Sequence, residues 1–127
     1  MTEEVGQERA PIFETLTSYV RSGIYGFHTP GHKSGRFAAP ELTDLVGKSG
    51  LALDLPSMTA TDNTFHPTGC VRDAQRLAAE LFGAGETFFL SAGSTLGVGT
   101  ALLAAVPPGG TAANSAAPTP SVEPAER

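Results

Sequence analysis

The sequence predicts an α/β domain made mostly of helices and loops, with one clear strand. Three features carry that expectation. Val71 to Phe82, VRDAQRLAAELF, is dominated by strong helix formers and closes on Gly83. Thr87-Phe88-Phe89-Leu90 is a short apolar, aromatic and β-branched run of the kind that forms a buried strand. Gly93-Ser94-Thr95 then breaks that run, and a small-residue helical pattern continues to about Val106.

The other elements follow in chain order. Residues 1–10 are polar and are expected to be flexible. Pro11 sits where a helix can begin, Ile12, Leu16, Tyr19 and Val20 share one face, and Gly23 offers a stop. Residues 24–36, IYGFHTPGHKSGR, are too rich in glycine and proline for regular structure and read as a long loop. Pro40 opens a short surface helix with Leu42, Leu45 and Val46 on its apolar side and Gly47 near its end. Leu51 to Leu55 alternates around Asp54 and is expected to be extended. Pro56 to Gly69 reads as loop. In the 71–82 helix the expected apolar face is Ala74, Leu77, Ala78, Leu81 and Phe82. Pro107-Pro108-Gly109-Gly110 ends the last helix, and residues 111–127, small residues, prolines and charges, are expected to form a disordered tail.

Composition narrows the function classes. At 127 residues with 40% hydrophobic content, the chain has the make-up of one globular domain at most. Eight basic against 13 acidic residues give a net charge of −5, and the basic residues are scattered, so nucleic acid is not an expected partner. No apolar run approaches bilayer length and the acidic start lacks a signal-peptide pattern, so no membrane is expected and the default location is cytoplasmic. The single cysteine, Cys70, permits no internal disulfide and reads as an inert, partly buried thiol. No metal site is expected.

Two stretches could carry chemistry. A strand–turn–helix at Gly93-Ser94-Thr95 leaves the first amides of the helix without intrahelical partners, so those amides and the Ser94 and Thr95 hydroxyls could hold a phosphate. The alternative is an ordinary turn with Ser94 as N-cap. In the 24–36 loop, His28 and His32 could serve as acid, base or donor, or could be exposed loop histidines. Lys33 reads as a loop lysine rather than a cofactor-bonding one, and His66 in the 56–69 loop has both options open.

FHTPGHKSG at 27–35, FHPTG at 65–69, AQRLAAELFGA at 74–84 and TFFLSAGSTLG at 87–97, occurring in that order, resemble the pyridoxal-phosphate-dependent ornithine/lysine/arginine decarboxylases. The resemblance covers residues 11–110. It implies an N-terminal fragment of an aspartate-aminotransferase-like domain (PLP fold type I), pyridoxal phosphate as cofactor and a basic amino acid as substrate. It further implies that Gly93, Ser94 and Thr95 hold the cofactor phosphate, and that the loop bearing His28 and His32 lies near the active site, with reach across a homodimer interface as one option. The family's cofactor-bonding lysine, ring-nitrogen acid and ring-stacking group lie C-terminal to the phosphate turn, where this sequence has no fitting residues. Its lysines, Lys33 and Lys48, both lie upstream. The expectation is therefore a partial decarboxylase-like chain inactive by itself. The alternatives are an interaction module complementing a separate C-terminal half or a paralogue, and a non-functional remnant.

Overall fold

The computed structural model describes residues 6–112 and contains five α-helices: α1 (Pro11–Arg21), α2 (Pro40–Val46), α3 (Lys48–Leu53), α4 (Cys70–Phe82) and α5 (Gly93–Ala105). The chain divides into two units, one up to Phe88 and one from Phe89 onward. Most of the expected tail, residues 113–127, and the first five residues lie outside the described residues. No helix among the described residues is long and apolar enough to cross a membrane.

In the first unit, α1 packs on α4 and on α3, and α2 packs on α3. The core is small: Pro11, Leu51, Val71, Leu77 and Ala79 are its buried apolar residues, accompanied by buried Thr61 and Gln75. Helix α1 begins with proline at N1, whose missing N–H would have had no partner there anyway. Its cap residue, Ala10, has no side chain able to accept, and Glu14 reaches back to take the Ala10 N–H at 2.8 Å. Arg9 pairs with the same carboxylate, and its side-chain hydrogen bond, with the Ala10 amide, holds the Glu14 carboxyl below the ordinary range.

The best-built helix is α4, and its start is organised from outside. Its N-cap position is Gly69, which has no side chain to offer. The Asp62 carboxylate supplies what is missing, accepting from Gly69 N and Val71 N at 2.9 Å each through Oδ2. Through Oδ1 it also accepts from Asn63 N at 2.8 Å and Thr68 N at 3.0 Å. Asp62 takes a left-handed φ of 68°, which aspartate tolerates better than most residues. Beside it, buried Thr61 donates its hydroxyl to the Pro56 carbonyl at 2.6 Å and accepts from Met58 N at 3.1 Å. One carboxylate and one hydroxyl thus fold the 56–69 loop onto the end of α4. At the other end Gly83, at φ 62°, closes a Schellman motif in which Ala84 N reaches Ala79 O and Gly83 N reaches Glu80 O.

Three expectations are corrected. Thr87–Leu90 is not a strand, and no strand occurs among the described residues; the one bridge is the isolated Met58–Asp62 pair. A strand is defined by its ladder, and residues 87–90 take part in none. Phe88 and Leu90 are accordingly exposed, at 70% and 49%. Residues 48–53, expected in part as an extended piece, form α3, because Gly47 ends α2 and its carbonyl at once accepts the Leu51 N–H. A short helix satisfies its own amides where an unpaired extended segment cannot. Finally, burial on α4 falls on Val71, Gln75, Leu77 and Ala79, while Leu81 and Phe82 are exposed. Gln75 Oε1 is buried with no hydrogen-bond partner among the described residues.

In the second unit, α5 is apolar on all sides and none of its residues is buried. Leu90 lies against it where Gly97 has no side chain: a Cβ there would sit 2.5 Å from Leu90 Cδ1. Pro107–Gly110 forms a turn closed by Gly110 N to Pro107 O at 2.8 Å, which ends the helix as expected.

Because Asp62 serves four amides, Asp62→Ala should destabilise the first unit by about 2–4 kcal/mol, more than an ordinary cap, measured by denaturant unfolding. Its carboxyl is pushed up by burial, but the Thr68, Asn63, Gly69 and Val71 amides outweigh that and hold it at about 2. A depressed carboxyl stabilises above its ordinary value of 3.8 and loses that contribution as pH falls through about 2. The wild-type loss of stability across that window should therefore be blunted in Asp62→Ala.

Candidate functional site

The 24–36 loop is folded by its own polar side chains. His28 Nδ1 lies 2.7 Å from the Thr29 carbonyl, which can only accept, so Nδ1 carries the proton. In the neutral ring, Nε2 is then an acceptor, and it faces Tyr19 Oη at 3.5 Å, the outer limit of a hydrogen bond. Tyr19 also lines an open groove with Arg9, Glu14, Ser18 and Ala60. Lys33 donates its ammonium to the His28 carbonyl, so it is half-buried and engaged within the loop.

His32 has the opposite arrangement. Its Nδ1 accepts from Gly35 N at 3.0 Å, so Nε2 carries the proton and donates to Asp54 Oδ2 at 3.1 Å. The ring therefore ties a tight turn to the end of α3. In that turn Lys33, Ser34 and Gly35 have successive φ values of 47°, 57° and 83°. Left-handed backbone costs a non-glycine residue about 1–2 kcal/mol, so Lys33 and Ser34 must be held by their surroundings. Gly35 packs on Leu51, and a Cβ at 35 would come within 3.1 Å of Leu51 Cβ.

His66 is exposed beside Phe65, which is 88% exposed, at the tip of the loop that Asp62 closes. Cys70 is half-buried at the start of α4, with its thiol 3.5 Å from the Thr61 carbonyl. No cluster of three metal-ligating side chains occurs among the described residues.

In the second unit the turn before α5 keeps its amides open. The cap residue is Ala92, not Ser94, and it makes no side-chain cap bond. Gly93, Ser94 and Thr95 are the first three helical residues, all exposed, and no acidic side chain stands in that first turn. Gly93 has φ 81°, a conformation that favours glycine. An uncapped helix start with two hydroxyls beside it is suited to an anion. Asp62, Asp54 and Tyr19 are the residues with site-building roles that sequence reasoning missed; of these, the Thr-Asp-Asn string at 61–63, typical of side-chain-to-backbone turns, was a usable signal for Asp62.

The family profile described as Orn/Lys/Arg decarboxylase, major domain, matches residues 10–113. The chain belongs to that family and corresponds to the N-terminal part of its major domain. Among individual relatives, it is 36% identical over 103 residues to the arginine decarboxylase of Halalkalibacterium halodurans, covering 81% of this chain and 21% of that protein. The arginine decarboxylase of Bacillus subtilis is 34% identical over 105 residues, 83% of this chain and 21% of that protein. The constitutive ornithine decarboxylase of Escherichia coli is 33% identical over 92 residues, 67% of this chain and 13% of that protein. The chain thus spans about a fifth of the length of the first two relatives. No solved structure matches it.

Two glycines of α5 should respond in opposite directions. Gly93→Ala forces an alanine into a left-handed φ and should weaken the helix start by about 1 kcal/mol, whereas Gly99→Ala, with nothing within 4 Å of its Cβ, should strengthen α5 by roughly 0.5–1 kcal/mol. Amide hydrogen exchange along α5 reads both.

Proposed function

We propose that this chain provides the phosphate-anchoring part of a pyridoxal-phosphate-dependent decarboxylase of basic amino acids, within a domain of the aspartate-aminotransferase type (PLP fold type I). The observation that carries the reading is the uncapped first turn of α5, with Gly93, Ser94 and Thr95 exposed and no carboxylate nearby in that turn. The residues fit a phosphate. The amides at 93–95 donate along the helix axis, the Ser94 and Thr95 hydroxyls add two donors, and the helix dipole favours the negative charge. Pyridoxal phosphate, when bound, supplies an electron sink that lets a substrate carboxylate depart as carbon dioxide.

The chain's own residues do not fit covalent attachment. Lys33 donates to the His28 carbonyl, and Lys48 is the first residue of the short helix α3 in the first unit. The role assigned here is therefore to grip and orient the anionic end. The arginine and ornithine decarboxylases among the relatives support a basic amino acid as the substrate of the complete enzyme.

A second reading, a module that complements a separate chain, is favoured by one observation. Helix α5 has no polar face, yet Leu96 and Leu103 are 51% and 73% exposed.

Titrating the full chain with pyridoxal phosphate and with pyridoxal tests the first reading. The phosphate-bearing compound should bind more tightly and shift the amide resonances of residues 93–95. Ser94→Ala with Thr95→Val should cost roughly tenfold or more in its affinity, as expected for lost hydrogen bonds to a charged group. Equal binding of both compounds, or unmoved amides at 93–95, overturns the assignment. The chain alone should release no carbon dioxide from arginine or ornithine.

A further inference from the structure

We propose that His32 is a proton-sensitive latch on the Lys33–Gly35 turn. As a neutral ring protonated at Nε2 it holds the Gly35 amide, and a second proton, taken from solvent at Nδ1, releases that amide. The proposal uses none of residues 93–95 and stands apart from the cofactor reading.

The two ring nitrogens face groups of opposite kind. Nε2 meets the Asp54 carboxylate, which only accepts, and Nδ1 meets the Gly35 N–H, which only donates. A single tautomer satisfies both. When Nδ1 gains a proton, two N–H groups oppose each other across 3.0 Å and the Gly35 contact becomes repulsive. The contact to Asp54 meanwhile becomes charge-assisted, so the ring stays at the end of α3 while the Gly35 amide lets go. The change is therefore directional: it frees that amide and keeps the side chain anchored.

The turn is built to respond. Lys33 and Ser34 are in left-handed backbone, which persists only while the surroundings impose it. Of the charges around the ring, Asp54 comes from beyond α3. On the loop itself, the Lys33 ammonium is drawn to the His28 carbonyl and the Arg36 guanidinium lies 4.7 Å over the Tyr25 ring. The imidazole side chain is 13% exposed, so the proton has a route to it. The released amide belongs to the residue seated on Leu51, a core residue, while the Arg36 N–Lys33 O and Phe37 N–His32 O bonds of the turn remain.

Long-range proton–nitrogen correlation on the ¹⁵N-labelled full chain reads the tautomer directly. At neutral pH it should show Nε2 protonated and Nδ1 bare; the reverse tautomer overturns the proposal without any variant being made. Hydrogen exchange at the Gly35 amide, corrected for its intrinsic rate, should accelerate roughly tenfold as the solution is acidified and the ring takes its second proton. His32→Asn keeps an acceptor near the Nδ1 position but takes no proton there, so its Gly35 amide should stay protected throughout. His32→Ala should leave Gly35 unprotected throughout. Wild-type protection independent of pH, or a His32→Asn chain that loses protection as the wild type does, refutes the latch.

Discussion

The hydrogen bonding of the Asp62 carboxylate is the constraint on which the first unit depends. Helix α4 contributes most of the small core, and a helix start presents amides that must find acceptors. Its own cap position is glycine, so the acceptor comes from seven residues upstream. By accepting from Asn63, Thr68, Gly69 and Val71 at once, Asp62 fixes the loop and the helix with the same two oxygens. Desolvation works against the charge, and the amides prevail because each hydrogen bond to a charged group is worth more than a neutral one. Thr61 completes the arrangement by pinning the Pro56 and Met58 backbone on the other side.

Comparing the three longer helices shows what is distinctive about α5. In α1, Glu14 serves the amide of the cap residue, and in α4, Asp62 serves the amides of the first turn. Both devices put a carboxylate at the positive end of a helix. The first turn of α5 has none, and its cap residue is alanine. A helix start that neither borrows nor carries an anion retains the potential to take one from outside. The same helix lacks a polar face, so its need for cover along its length and its open N-terminus are separate properties of one segment.

Helix limits were legible in the sequence because their determinants are local. Pro11 and Pro40 open helices, and Gly47 and Gly83 close them, each through its own φ or missing N–H. The family was legible because its blocks occur in a fixed order. The contacts that build the site were not, since they join residues distant in sequence. His32 and Asp54 are separated by 22 positions, and nothing in either neighbourhood names the other. The strand at 87–90 failed for a related reason: its composition favours the pleat, but strand formation requires a neighbour. Periodicity assigns Leu81 and Phe82 to a buried face, whereas α1 is the helix that packs on α4 and both residues stay exposed.

The two histidines of the glycine-rich loop, equivalent as letters, are separated by their hydrogen bonds. His32 has both nitrogens engaged, one with a main-chain amide and one with a carboxylate, so its ring is a tether between the loop and α3. His28 commits Nδ1 to the adjacent carbonyl and leaves Nε2 as the acceptor, with Tyr19 Oη only at the margin of hydrogen-bonding distance. Proton transfer requires a nitrogen with a lone pair that another group can approach. By that criterion the nitrogen open to an outside partner is His28 Nε2, since His32 Nδ1 gains a proton only by giving up the Gly35 amide. His28 Nε2 is the one beside α1 and the Tyr19 hydroxyl, while His32 and Lys33 spend their polar atoms on holding the loop that presents it.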